Sequence, residues 1–197
     1  MRILAIADQT SPYYYDYYTP GKLREFDLIL SCGDLPKNYL EFLVTMARCP
    51  LLYVPGNHDE TYQTAPPEGC VNVDGKLYVH EGLRIVGLGG AYRYREGPWL
   101  YTERQMARRV RRLTPAIRRA EGFDLLLTHA PARHLNDMDT MAHRGFECFR
   151  GLLEQYEPAF FLHGHIHQSY GAHIPRVTDF GNTKVINACG HYAFDLT

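Results

Sequence analysis

No apolar run in this sequence comes near the roughly 18 residues that a membrane span requires; each stops at the length of a strand. The first, Ile3 to Ala7, is also too short for a signal-peptide core, and it ends at Asp8 without a small-residue cleavage pattern. The expected setting is therefore the cytoplasm, with no membrane partner. Cysteine is scarce: Cys32, Cys49, Cys70, Cys148 and Cys189 are an odd number with no C-x-x-C pair, which points neither to a disulfide framework nor to a zinc ribbon. Charge of neither sign is in surplus, with 21 basic against 22 acidic side chains and 45% hydrophobic residues. That balance argues for an ordinary globular protein and against a disordered chain or a dedicated polyanion binder. Internal repeats and low-complexity stretches are missing too, apart from one tyrosine-rich segment. A length of 197 residues suits one sizeable core, so a single domain over 1–197 is expected.

What is present is a series of short buried strands, each stopping at a residue able to bind a metal. Arg2 to Ala7 is continuous rather than alternating, reads as a strand buried on both faces, and ends at Asp8. Phe26 to Ser31 ends in Cys32-Gly33-Asp34, and Leu51 to Val54 ends in Pro55-Gly56-Asn57-His58-Asp59. Phe123 to Thr128 runs into His129, and Ala159 to Leu162 runs into His163-Gly164-His165-Ile166-His167. Between them, Lys37 to Arg48 and Gly145 to Glu157 have helical spacing, and Tyr101 to Arg119 reads as a helix interrupted at Pro115. Val71 to Val73, Lys76 to His80 and Leu83 to Leu88 look like antiparallel strands, with Asp74-Gly75 as a hairpin turn. Thr183 to Ile186 reads as a last strand.

Two other segments have a functional and a plain reading. Five tyrosines between Pro12 and Pro20 could form an aromatic wall for a base or sugar, but a surface loop packing on itself or on a second copy is the better reading. Seven arginines between Arg104 and Arg119 could form a phosphate or nucleic-acid patch. Met106, Val110, Leu113 and Ile117 lie at helical spacing among them, which favours a solvated face on a core helix over a nucleic-acid partner.

In layered α/β proteins ligands bind beyond the carboxyl ends of the strands, so Asp8, Asp34, Asn57, His129, His165 and His167 are expected to converge. His165 and His167, at i and i+2 in extended chain, point the same way and suit two neighbouring cations. Mixed nitrogen and oxygen donors favour Mn, Fe, Zn, Co or Ni over a magnesium or calcium cage. Two divalent ions held by two aspartates and a bridging hydroxide would keep net positive charge over a nucleophile, an arrangement suited to an anionic phosphorus ester. In the third turn, Asn57 offers a carbonyl oxygen, His58 a nitrogen that can donate to an oxyanion, and Asp59 a carboxylate that can hold that imidazole.

Taken in order, Asp8, Gly33-Asp34, Gly56-Asn57-His58-Asp59, His129 and Gly164-His165-Ile166-His167 resemble the signature of the calcineurin-like metallophosphoesterase superfamily. The resemblance implies a four-layer αββα sandwich, two mixed β-sheets face to face with helices outside. It also implies two divalent metals and a small phosphate-ester substrate. In it Asp34 bridges the metals, Asp8 and His167 serve the first, and Asn57, His129 and His165 serve the second. His58 donates to the phosphoryl or leaving oxygen, oriented by Asp59. The first motif departs from the pattern: where Asp-x-His is usual, the chain reads Asp8-Gln9-Thr10. The first site is therefore expected to be the weaker, completed by water or the Thr10 hydroxyl. Thr10 and the tyrosines suit a rival reading, a non-catalytic scaffold that keeps the fold; His58 with Asp59 argues against it. His134, His143, His163, His173 and His191 read as surface or hydrogen-bonded core rather than site residues, with His143 and Arg133 the best candidates for substrate contact. The oligomeric state is not legible.

Overall fold

The computed structural model describes residues 1–171 and 174–196, so His173 lies outside the described residues. The first half of the chain forms β1 (Arg2–Ala7), β2 (Leu28–Ser31), α1 (Lys37–Ala47), β3 (Leu51–Tyr53), β4 (Val71–Asn72), β5 (Lys76–His80) and β6 (Leu83–Leu88). After them come β7 (Ala91–Tyr92), β8 (Leu100–Tyr101), α2 (Glu103–Arg119), β9 (Leu125–Thr128), α3 (Glu147–Tyr156) and β10 (Phe160–His163). The chain ends with β11 (Val177–Phe180), β12 (Thr183–Asn187) and β13 (Gly190–Asp195). One sheet has the order β13-β1-β2-β3-β4 and the other β11-β12-β10-β9-β6-β5; β7 and β8 pair separately.

The alternation of side chains along β1 shows how the layers stack. Ile3, Ala5 and Ala7 pack with Leu28, Leu30 and Leu52 against Ile85, Leu125, Leu127 and Leu162 of the other sheet. Leu4 and Ile6 point the opposite way, into a cluster with Tyr39, Leu40 and Leu43 of α1. On the far side, Val86, Leu126 and Phe161 pack against Met106, Leu113 and Ile117 of α2 and Phe149, Leu152 and Leu153 of α3. Two mixed sheets thus lie face to face with helices outside, the expected αββα order. Within this frame β1–β2–β3 run parallel, as do β6–β9–β10, so their carboxyl ends gather at one edge of the sandwich. No helix among the described residues is long and apolar enough to cross a membrane.

Several details differ from the sequence reading. Helix α2 continues through Pro115, which faces solvent; it gives up one backbone bond while Leu113 and Ile117 on the other side remain anchored. Strand β4 pairs parallel with β3, so Asp74-Gly75 carries the chain from one sheet to the other. The hairpin turn is Glu81-Gly82, between β5 and β6, and both residues have positive φ (47° and 87°) as a tight two-residue turn demands. Helix α3 is shorter at both ends than the spacing suggests. Finally, β13 returns to the first sheet and pairs antiparallel with β1.

Candidate metal centre

Three of the expected ligands follow strand ends in a conformation that L-residues rarely adopt: Asp8 has φ 61°, Asp34 φ 56° and His165 φ 67°. A left-handed residue costs about 1–2 kcal/mol, least for aspartate, whose short polar side chain bonds locally. Such residues persist where their surroundings over-determine them, commonly at functional sites. Two glycines allow the approach. A Cβ on Gly56 would stand 2.1 Å from Asp34 Oδ1, and one on Gly164 would stand 2.6 Å from Ala7 Cβ and 2.8 Å from Asp8 Oδ2.

Asp34 sits between two loops. Its Oδ1 accepts the backbone N–H of His58 at 2.7 Å, and its Oδ2 lies 3.3 Å from His129 Nε2. His129 is fully buried, and its Nδ1 bonds the carbonyl of Cys32 at 2.8 Å. A carbonyl only accepts, so this bond assigns the proton to Nδ1 and turns the Nε2 lone pair toward the centre. His165 is held the same way: its Nε2 bonds the Ala142 carbonyl at 2.7 Å, leaving Nδ1 to face His129 Nε2 at 3.1 Å. Asn57 Oδ1 stands 2.9 Å from the same His129 nitrogen. Donor atoms of Asn57, His165 and Asp34 therefore stand 2.9, 3.1 and 3.3 Å from His129 Nε2, so four electron-pair donors crowd around one point.

That arrangement repels unless a positive charge lies in it. In the protein alone only a proton is at hand, and the titration of the pair reflects it. Burial lowers the pKa of His129, but the Asp34 and Asp8 carboxylates outweigh burial and carry it to about 9. Burial, then the charge on His129, holds His165 at about 3. One proton satisfies one contact at a time; a divalent cation satisfies all four. Donors about 2.0–2.2 Å from an ion stand about 3.0 Å apart in octahedral and about 3.4 Å apart in tetrahedral coordination, and the observed spacing matches. The carbonyls behind both histidines supply the outer bonds that metal-binding imidazoles ordinarily have. The ligand atoms of Asp34, His129 and His165 all lie within 4.8 Å of one another. The residues fit a divalent metal ion.

The other expected ligands are less tightly grouped. The Asp8 side chain is buried, its carboxylate accepts the His165 N–H at 3.0 Å, and burial pushes its pKa up to about 7. His167 Nε2 is 4.0 Å from Asp8 Oδ1, with its ring stacked on Tyr170 at 4.9 Å between centroids. Among the described residues these two form no triad with Asp34 comparable to the one around His129. Asp59 acts on backbone: its Oδ2 accepts the N–H of Asp34 and of Gly56, each at 2.8 Å, and no hydrogen bond joins it to the His58 ring. It ties the two ligand-bearing loops together. His58 itself is exposed and lines a cavity of about 280 Å³ with Asp8, Asp34 and Asn57 at its base and Tyr94, His143, His167 and Tyr170 around it. Thr10 is not part of that lining.

Arg133 does not reach the cavity, since Asp137 at 2.8 Å and Asp139 at 3.2 Å take its guanidinium. His143 does line it, with Nδ1 held by the Thr140 hydroxyl at 2.8 Å. His163 is buried beneath the site, bonded to the Gly164 carbonyl, and His191 packs on Tyr13 and Tyr14. The sequence reading missed Tyr170 and the Ala142 carbonyl. Tyr170, three residues after His167, had a sequence signal; a backbone carbonyl has none.

A family model described as calcineurin-like phosphoesterase matches residues 1–169. No curated protein matches. Among solved structures, one crystal structure superposes with a TM-score of 0.69 at 13% identity, covering 98% of this chain and 94% of that one. The crystal structure of TT1561 of Thermus thermophilus gives 0.65 at 16% identity, covering 95% and 88%. At such identities these two speak for the fold alone. Sequence model, sandwich architecture and the donors gathered at the strand ends agree, and the chain belongs to the calcineurin-like phosphoesterase family.

Proposed function

We propose that the chain is a metal-dependent hydrolase of a phosphodiester or small phosphate ester, with Mn, Fe, Zn, Co or Ni as cofactor. The observation that carries this reading is the gathering of donor atoms from Asn57, His165 and Asp34 within 2.9–3.3 Å of His129 Nε2. In this reading Asn57, His129 and His165 would hold one ion, Asp8 and His167 would hold a second and weaker one, and Asp34 would contribute a carboxylate to the centre. A bound divalent cation would polarise a phosphoryl oxygen and acidify a water.

The chain's own groups do the rest. The walls of Tyr94, His143 and Tyr170 limit the size of the ester that can enter the cavity. His58 projects into the same cavity, placed to donate a proton to the phosphoryl or leaving oxygen. Its backbone is fixed by Asp34 Oδ1, and Asp59 fixes the turn from behind by holding two amides. Asp59 is thus a positioning residue for His58 through the main chain rather than through the ring.

A scaffold reading has specific support in Thr10, which leaves the first site short of a nitrogen ligand, and in Tyr13 and Tyr17, which are 53% and 73% exposed. Hydrolysis of p-nitrophenyl mono- and diesters across a metal panel separates the two. Metal-dependent turnover lost in both Asn57→Ala and His58→Ala supports the enzyme; no turnover with any metal, or turnover that survives both changes, defeats it.

A further inference from the structure

Helix α2 carries seven arginines and one glutamate in a chain whose formal charge is −1. Arg109 is accounted for: it pairs with Asp74 and donates to the Gly89 carbonyl. Arg118 and Arg119 lie in the last turn, where cations complement the helix dipole. Arg104, Arg108, Arg111 and Arg112 have no such explanation. All four are exposed, and none enters an ion pair among the described residues. They occupy the first three turns, toward the positive end of the dipole, where cations are unfavourable. At about 100° and 1.5 Å per residue they fall on about 100° of the helix surface over about 12 Å. The single acid, Glu103, is turned away, accepting the N–H of Glu147 and Cys148 at the start of α3.

This row borders a groove of about 350 Å³ lined by Tyr101, Gln105, Arg108, Arg109 and Arg112. Hydrogen bonds and chain neighbours connect the lining of the groove to that of the metal cavity. Gln105 Oε1 accepts from Arg93 at 3.2 Å, and the next residue, Tyr94, lines the cavity; on the other side, Gly90 N–H bonds the carbonyl of Pro55, two residues before Asn57.

We propose that this face of α2 binds the phosphate backbone of a single-stranded nucleic acid, led toward the cavity past Arg93 and Tyr94. Arginine forks match phosphate bidentately, and Tyr94, which is 36% exposed, offers a ring on which a base can stack. An anionic membrane fits less well. The apolar side of α2 (Met106, Leu113, Ile117) is buried in the core, so the helix has nothing to insert. The proposal concerns binding and does not depend on which ester the cavity hydrolyses.

The test is fluorescence polarisation of the full chain with a fluorescein-labelled thymidylate 15-mer, over a salt series, the probe checked for integrity on a gel after each titration. Neutralising phosphates with four arginines predicts a log K against log[salt] slope of about −3, from about −0.7 per phosphate. Arg104→Glu with Arg108→Glu and Arg112→Glu should weaken binding about tenfold or more and flatten the slope; the corresponding glutamine triple serves if charge reversal impairs folding. Arg24→Glu with Arg48→Glu, near the end of α1, should change affinity by less than about twofold. No oligonucleotide binding, affinity unchanged in the α2 variants, or association only with phosphatidylserine vesicles overturns the proposal.

Discussion

Gly56→Ala adds one methyl group at the point where two ligand-bearing loops touch. The new Cβ would lie 2.1 Å from Asp34 Oδ1, 2.6 Å from its Cγ and 2.7 Å from its backbone nitrogen, whereas ordinary contact begins at 3.4 Å. The loops must part by about 1 Å, and no flexible tip is available to give way, because Asp34 is held at Oδ1 by His58 N–H and at its own N–H by Asp59. Overpacking of this kind costs about 1–3 kcal/mol. In a chain of this length that is about 2–12 °C in Tm. A shift of about 1 Å in Asp34 should also lower activity about 100-fold. Thermal melting, metal titration and ester hydrolysis of the variant measure all three. Gly151→Ala is the paired control: it lies in α3, its Cβ would meet nothing within 4 Å, and it should stabilise by about 0.5–1 kcal/mol. A Gly56→Ala protein that melts with the parent and keeps its metal affinity and turnover would refute the packing argument.

Three other changes test separate parts of the account. Thr10→His should raise the affinity for a second metal ion, read by calorimetric titration; a parent chain that already holds two ions tightly contradicts the weak first site. Asp59→Ala leaves the amides of Asp34 and Gly56 without their carboxylate and should cost about 2–4 kcal/mol in a denaturant melt, with kcat reduced more than KM; equal stability would show that the tie carries no weight. The hydrogen bond from Arg84 holds the Asp124 carboxyl below its ordinary 3.8. A carboxyl lowered on folding stabilises above its unfolded pKa, and that contribution is lost as pH falls through the folded value. Asp124→Asn should therefore destabilise by about 1 kcal/mol at pH 7, a figure reduced for partial exposure, and the gap should close below about pH 4. A gap independent of pH would contradict it.

The meeting of the expected ligands was legible because Asp8, Asp34, Asn57 and His129 each closely follow a continuous apolar strand, and the strand ends of a layered fold meet; in the His163-to-His167 run the sequence alone left open which histidines face the centre. What escaped was set by backbone. Asp59 was expected to hold an imidazole and holds two amides, a partner that every residue but proline carries. Strand β4 makes two residues of parallel pairing, and nothing in Val71-Asn72 distinguishes it from an antiparallel strand. Strand β13 contains His191 and Asp195 and forms the edge of its sheet, so its burial pattern is weak. Pro115 breaks a helix only when the helix depends on local bonds, and α2 is held by its buried face. Arg133 lost its expected place to Asp137, an i, i+4 partner visible in the sequence but no more favoured there than solvent.

The central claim is that Asp34, Asn57, His129 and His165 grip a cation together. Equilibrium dialysis against Mn or Zn, followed by elemental analysis of the folded protein, measures it without reference to any substrate. Retention of metal by the parent, lost when His129 and Asn57 are both changed to alanine in a chain that still folds, is the predicted result. Equal metal content in parent and double variant would contradict the account.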